Sequence, residues 1–270
     1  MPFNLSPRQP GHPVACLGID PSAASLTTWG LADEPDGALA FGRALLAATA
    51  GICPVVKPQI AYFERFGASG YAVLETLMRE AHDAGLAVIA DAKRADIGPT
   101  MDAYAQAWLG RDAPLQVDAI TVVPYLGLGS LRPLLDRAFQ AGAYVFVVTR
   151  SSNPEGAAVQ RYGTPPLWQH VAEGIAELGS TYEPGFPGAV IGATDAHDLH
   201  RAAEVMPDAR FLVPGLGAQG GRMQDLQALP PGVRERLVIS NSRAIASHGP
   251  SAARLRAAID EFANQLPQAG

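Results

Sequence analysis

Residues 87–96 read Ala87-Val88-Ile89-Ala90-Asp91-Ala92-Lys93-Arg94-Ala95-Asp96. A short apolar run that does not alternate with polar residues is expected of a parallel strand buried on both faces. Here that run passes directly into a cluster of charges. Just upstream, Val73, Leu74, Leu77, Met78 and Ala81 recur at three- and four-residue steps before Gly85. That spacing predicts an amphipathic helix closed by a C-terminal glycine. Helix, glycine, buried strand and charged loop together form the unit of a β/α fold.

The unit recurs along the chain. Candidate strands of the same kind lie at 14–19, 55–57, 87–90, 119–123, 144–149, 189–191, 211–213 and 237–240. Eight strands about 31 residues apart predict an α/β protein built as a (β/α)8 TIM barrel, for which ~250 residues is typical. A doubly wound open sheet is the alternative, but the Gly-x-Gly-x-x-Gly turn it would need after the first strand is replaced by Gly18-Ile19-Asp20-Pro21-Ser22. Leu255, Ile259, Phe262 and Leu266 mark a closing amphipathic helix. With no low-complexity linker or change in composition, residues 1–270 are expected to form one domain. The stretch 181–188 and the segment around Pro230 read as surface connections.

Composition narrows the class. The chain has 270 residues, 48% hydrophobic and 17% charged, a globular balance. The longest stretch free of Asp, Glu, Lys and Arg has 13 residues, short of the ~18 that mark a transmembrane helix. The opening Met-Pro-Phe-Asn-Leu-Ser-Pro-Arg carries no apolar signal region, so secretion is not expected. A net charge of −6 with mixed signs gives no general attraction for nucleic acid or anionic lipid. Cys16 and Cys53, in no metal-ligand spacing, suggest a reducing cytoplasm. A cytoplasmic enzyme with a small-molecule substrate is the expected class.

In a TIM barrel, chemistry gathers where the strands end. Strand one ends in Asp20, strand two in Lys57 and strand three in the Asp91–Asp96 cluster. Asp91 and Lys93, two apart on an extended segment, share a face with about 6.6 Å between them along the strand. A lone Asp-x-Lys is as readily a surface ion pair, but a second lysine and two further carboxylates at the same mouth favour a catalytic array. After strand seven comes Pro214-Gly215-Leu216-Gly217-Ala218-Gln219-Gly220-Gly221, and after strand eight Asn241-Ser242-Arg243. Two glycines could serve a tight turn alone. Four, followed by an arginine, point to a phosphate site in which backbone amides and a guanidinium hold the anion.

Two lysines could signal a Schiff-base aldolase, which needs a neutral amine. Lys93, with carboxylates two and three positions away, is expected to stay an ammonium, which suits stabilisation of a carbanion. At this point the residues carry a resemblance. Asp91-x-Lys93-x-x-Asp96-Ile97-Gly98, with Gly18-Ile19-Asp20-Pro21 and Val56-Lys57-Pro58-Gln59, resembles the orotidine 5′-phosphate decarboxylases. The longer bacterial branch, the type 2 subfamily, is the more similar. It shares Tyr62-Phe63-Glu64, Pro124-Tyr125-Leu126-Gly127, Ser152-Asn153-Pro154-Glu155-Gly156 and the glycine stretch after strand seven. The likeness spans about 17–243. Ala95 stands where the family has glycine and Pro99 where it has a small polar residue, which bears on loop conformation rather than on the reaction.

The resemblance implies decarboxylation of orotidine 5′-monophosphate to uridine 5′-monophosphate, in pyrimidine biosynthesis, without metal or organic cofactor. It implies Lys93 as proton donor, Asp91 beside the scissile carboxylate, Lys57 as organiser of the carboxylates, and Asp96 contributed by the neighbouring subunit of a homodimer. It also implies Asp20 and Thr100 on the ribose, Thr100 likewise across the interface, Ser152 on the pyrimidine, and Gln219 with Arg243 on the phosphate. Ile97, Pro214, Gly215 and Ser242 complete the expected substrate contacts.

Sibling barrels with the same Asp-x-Lys-x-x-Asp signature, 3-keto-gulonate 6-phosphate decarboxylase and hexulose-phosphate synthase, are the nearest alternative. They use magnesium and carry an acidic residue where Lys57 stands, and a cation there would repel Mg²⁺. A non-catalytic sensor of a phosphorylated ligand is the alternative from another class. His197 and His200 read as a solvated helix face. Cys16, Cys53, Trp29, Trp108 and Trp168 read as packing, and Arg94 as a structural ion-pair partner facing away from Lys93.

Overall fold

The first strand, β1 (Val14–Ile19), has no polar side chain and is buried at all six positions. A segment apolar on both sides needs a layer on each face, and a barrel wrapped in helices supplies both. In the computed structural model, which describes residues 11–217 and 220–267, seven more strands follow: β2 (Val55–Pro58), β3 (Ala87–Arg94), β4 (Ala119–Val122), β5 (Tyr144–Arg150), β6 (Gly188–Ile191), β7 (Phe211–Val213) and β8 (Leu237–Asn241). Each pairs in parallel with the next, and β8 pairs with β1 through Val14↔Val238 to Leu17↔Asn241, closing the barrel.

Two apolar layers result. The inner one is small: Val14, Cys16, Val55, Ile89, Ala119, Phe146, Val190, Leu212 and Val238, at least one residue from each strand. The outer one joins the opposite strand faces to the helices, through Leu17, Val56, Val88, Ile120, Val147 and Ile239 among others. The helix Gly67–Asp83 buries the expected Val73, Leu74, Leu77, Met78 and Ala81. Gly85 follows at φ 73°, and its neighbour Leu86 donates back to Ala81 O at 2.9 Å, so the left-handed turn is needed to end this helix. The closing helix Ala252–Gln265 buries Leu255, Ile259 and Phe262.

The tryptophans pack as expected. Trp29, Trp108 and Trp168 are all buried. Trp29 Nε1 donates to Ala246 O at 2.8 Å, tying the segment after β1 to the segment after β8. Any Cβ at Gly249 would lie 2.0 Å from the Trp29 ring, so glycine is what lets the chain pass. Cys16 and Cys53 are buried free thiols. Burial pushes Cys53 up to about 12 and raises Cys16 as well, so neither is a thiolate at neutral pH.

Two expectations need correction. The stretch 181–188 is a surface connection only in its first half. Phe186 and Pro187 are buried and Gly188 opens β6. The aromatic rings of Phe139, Tyr144 and Tyr182 surround Phe186 with centroids 5.3–5.7 Å away, apolar contact that a count of prolines and glycines hides. The third strand also runs on to Arg94 instead of stopping at Ala90, because Arg94 rejoins the ladder to β4 opposite Val122.

Phe146 fills the inner layer with no exposure and has no polar duty. Phe146→Ala is expected to lower stability by about 3–5 kcal/mol. Urea unfolding checks this: the midpoint should fall while the denaturant slope stays constant.

Candidate active site

Along the inner face, every second residue of a strand points into the barrel. On β2 that series is Val55, Lys57, Gln59, and on β3 it is Ile89, Asp91, Lys93. On β8 it is Val238, Ser240, Ser242. The first member of each lies in the apolar inner layer, and the later ones line a cleft of about 410 Å³ at the strands' C-terminal ends. The same cleft is reached by Asp20, Ser152, Pro214, Gly215 and Arg243.

The charge array sits on one wall. Lys57, only 5% exposed, donates from Nζ to Asp91 Oδ2 at 2.7 Å. Asp91 Oδ1 accepts from the Lys93 ammonium, whose side chain is 47% exposed toward the mouth. Burial alone would raise the Asp91 carboxyl, but the two ammoniums beside it win and hold it well below the usual carboxylate range. For Lys57, burial would lower the value, and Asp91 and Asp20 together turn it upward instead. Asp91 is therefore a carboxylate and Lys57 an ammonium throughout the neutral range, with Asp91 held between two lysines of which the outer is open to the cleft.

Lys93 does not follow extended geometry. Its φ is +47°, the one positive value at a non-glycine position among the described residues. The expected two-residue spacing along a flat strand is thus replaced by an irregular segment, yet the Asp91–Lys93 pair survives. Arg94 faces outward as expected, where it pairs with Glu64 and approaches Tyr71 Oη at 3.3 Å.

Asp20 and Ser242 meet across the seam between β1 and β8, Ser242 Oγ donating to Asp20 Oδ2 at 2.6 Å. A Cβ at Gly18 would come within 2.5 Å of Ser242 Cβ, so glycine permits this approach. Asp20 Oδ1 is buried without a hydrogen-bond partner, an acceptor facing the cleft and suited to a hydroxyl donor. Arg243, exposed and without an ion pair among the described residues, stands beside it as an unneutralised cation.

The glycine stretch behaves differently from expectation. Gly217 N donates to Gly221 O, Gly220 N to Gly217 O and Gly221 N to Gly215 O, at 2.8–3.0 Å. Three of the four glycine amides are thus used to fold the loop on itself, and Gly215, Gly217 and Gly220 need their positive φ for the turn. Gln219, with Ala218, lies outside the described residues. Arg243 is thus the cationic group that this rim offers to an anion.

Asp96, Ile97 and Thr100 do not line their own chain's cleft. Asp96 Oδ1 accepts from Ile97 N at 2.8 Å, Ile97 is 61% exposed, and Thr100 is exposed on the helix Gly98–Trp108. Conversely, the cleft includes Gln59, Tyr62, Ser151, Asn153, Ser240 and Asn241, none of them among the residues expected from the sequence. Gln59 and Ser240 could have been found from the two-residue period that carries Lys57 and Ser242; Asn241 falls out of that phase. The loop bearing Ser152 is seated by Arg150, which donates to Ser151 O at 2.7 Å and to Asp198 at 3.1 Å, contacts that no local pattern announces. His197 is 83% exposed on the helix Ala196–Val205.

Comparison with known proteins agrees along nearly the whole chain. The model of the orotidine 5′-phosphate decarboxylase / HUMPS family matches residues 15–258. A Streptomyces coelicolor orotidine 5′-phosphate decarboxylase is 45% identical over 260 residues, covering 93% of this chain and 91% of that protein. A crystal structure from Streptomyces avermitilis, described as a candidate for the same enzyme, superposes with a TM-score of 0.84 at 44% identity, over 94% and 90% of the two chains. Leishmania donovani OMP decarboxylase gives 0.76 at 34% identity, over 92% and 90%.

The depressed Asp91 carboxyl has a consequence for stability. A group whose folded pKa lies below its unfolded value of about 3.9 stabilises the fold above that value and ceases to do so as pH falls. Wild type should therefore exceed Asp91→Asn in urea stability by a constant margin between about pH 6 and 8, narrowing below about pH 4. A margin that widens on acidification would contradict the sign.

Proposed function

Because the chain belongs to the orotidine 5′-phosphate decarboxylase / HUMPS family, we propose that it converts orotidine 5′-monophosphate to uridine 5′-monophosphate and carbon dioxide, the last step of de novo UMP biosynthesis. The observation that carries the reading is the contiguous Lys57–Asp91–Lys93 array facing a cleft whose rim holds Arg243. The reading treats 1–270 as one barrel domain. Its two buried, unpaired thiols suit a cytoplasmic enzyme.

The substrate carboxylate lies beside Asp91. Two like charges ~4 Å apart at an effective dielectric of ~20 repel by about 4 kcal/mol. When the C6–carboxylate bond breaks, its electron pair stays on C6 and the departing group leaves as neutral carbon dioxide. Repulsion disappears, attraction to the Lys93 ammonium grows, and Nζ delivers its proton to C6. Interactions that improve toward the transition state are the ones that accelerate the step. Lys57 keeps Asp91 charged and oriented. Asp20 takes the ribose through its unfilled Oδ1, Ser152 the pyrimidine, and Arg243 with Gln219 the phosphate. Pro214, Gly215 and Ser242 shape the rest of the pocket. Phosphate contacts remote from C6 supply binding energy that orients the reacting end.

The family also contains barrels that use magnesium with the same strand-three signature. Lys57 speaks against that reading, since its buried ammonium takes the Asp91 oxygen a divalent ion would need. The position of Asp96, Ile97 and Thr100 outside their own cleft supports a homodimer in which they serve the neighbouring site.

Loss of orotidine 5′-monophosphate absorbance, followed with EDTA present, is the direct assay. Wild type is expected to turn over, and Lys93→Ala to fold normally with no measurable decarboxylation. Near-normal turnover by the folded variant would remove Lys93 from the mechanism, and no turnover by wild type would favour a phosphate-ligand sensor.

The shared site has its own test. Lys93→Ala and Asp96→Ala subunits, mixed under exchange, place both defects in one site of a mixed dimer and none in the other. Random assembly then restores roughly a quarter of all sites. Activity no greater than the sum of the two variants, with exchange verified, would place Asp96 in its own subunit's site.

A further inference from the structure

Between β3 and β4 the register breaks. Ala90 pairs with Ile120 and the next pairing is Arg94 with Val122, four residues along β3 against two along β4. Asp91, Ala92 and Lys93 thus stand opposite Thr121 alone. Such a bulge leaves backbone groups without ladder partners and re-aims side chains. Within it Lys93 adopts its left-handed backbone, a conformation a lysine keeps only where its surroundings hold it.

Thr121 supplies that hold. It is 1% exposed and lies one inward step above Ala119 of the inner layer, beneath the cleft rather than lining it. Its Oγ1 accepts the Lys93 backbone N–H at 3.0 Å and lies 3.2 Å from Asp91 Oδ1, to which it donates. One hydroxyl therefore fixes the backbone of the lysine and one oxygen of the carboxylate. Asp91 Oδ2 is held by Lys57, and Oδ1 is shared between Thr121 and the Lys93 ammonium. When that ammonium turns to a substrate, Thr121 is what still orients Oδ1.

Resting on the decarboxylase reading, we propose that Thr121 is a positioning residue for the reaction, its hydroxyl setting the relative placement of Asp91 and Lys93 across the bulge. The role is transmitted through these two groups, so it belongs to the chemical step and not to substrate capture.

Two matched pairs isolate the hydroxyl. Thr121→Val keeps the shape and loses the oxygen, and Thr121→Ser against Thr121→Ala repeats the comparison without the methyl. Wild-type turnover of orotidine 5′-monophosphate is measured first; its failure would refute the decarboxylase reading itself. With turnover established, the Val and Ala variants should lose roughly 10- to 100-fold in kcat, the scale of a misplaced reacting group, with little change in KM or in binding of uridine 5′-monophosphate. The Ser variant should stay close to wild type. The inference is overturned if Val and Ala retain kcat, if Ser falls as far as Ala, or if the loss appears in KM alone. Should Val fail to fold, the Ser and Ala variants decide. A Ser variant that does not fold also overturns it, since the hydroxyl would then not be what the position supplies.

Discussion

The Lys57 ammonium lies inside the barrel, and it stays charged there because Asp91 is held 2.7 Å away with the Asp20 carboxylate also nearby. Removing an ion from water carries a penalty of several kcal/mol, recovered when the counter-ion geometry is good and the remaining polar atoms are satisfied. Each feature near the array serves that condition. β2 and β3 run in parallel with Val55 opposite Ala87, and an isolated bridge from Gln59 to Asp91 continues the alignment past the end of β2. In this register Asp91 stands one inward step beyond Lys57 on the adjacent strand, within reach of its long side chain. A shift of one residue would turn either charge outward into the helical layer, where it would meet Val56 or Ala90 neighbours in place of a partner.

With that pair fixed, the remaining charges arrange themselves by access to solvent. Lys57 is enclosed, Asp91 intermediate and Lys93 open to the mouth. In the proposed mechanism the proton is carried by the most exposed of the three groups, while the two that set the field are enclosed. Electrostatic stabilisation is most effective when the charges need no rearrangement during the reaction. The Arg243 side of the cleft is built on another principle. Its glycine loop satisfies most of its own amides and leaves Arg243 uncompensated at the rim. One wall is thus preorganised and self-neutralising, and the other carries an unpaired cation for an anionic ligand.

The seam between β8 and β1 joins these walls. Ser242, adjacent to Arg243 in sequence, is hydrogen-bonded to Asp20 at the end of β1, and Gly18 makes the approach possible. A ligand spanning the cleft would meet both the Asp20 carboxylate and the arginine through one short connection. Behind the opposite rim, Arg150 and its buried carboxylate partner Asp198 seat the loop of Ser152, so the mouth is braced from the helical layer as well.

The sequence by itself determined the eight strands, the barrel, and the charges at their ends, because both signals are local: burial on two faces demands continuous apolar runs, and charges following such runs have only the mouth to occupy. It also gave Lys57, Asp91, Lys93, Asp20 and Arg243 as members of one site, since parallel strands of a closed barrel bring their ends together. Tertiary structure alone decided the rest. Nothing local distinguishes the glycines that expose an amide from those that spend it within the loop. Phe186 reads as loop residue until three aromatic rings surround it. The bulge at Lys93 depends on what β4 presents opposite, and Thr121 carries no charge to draw attention in the sequence. Its function exists only through the register between two strands, and register is a property of pairing that neither strand holds alone.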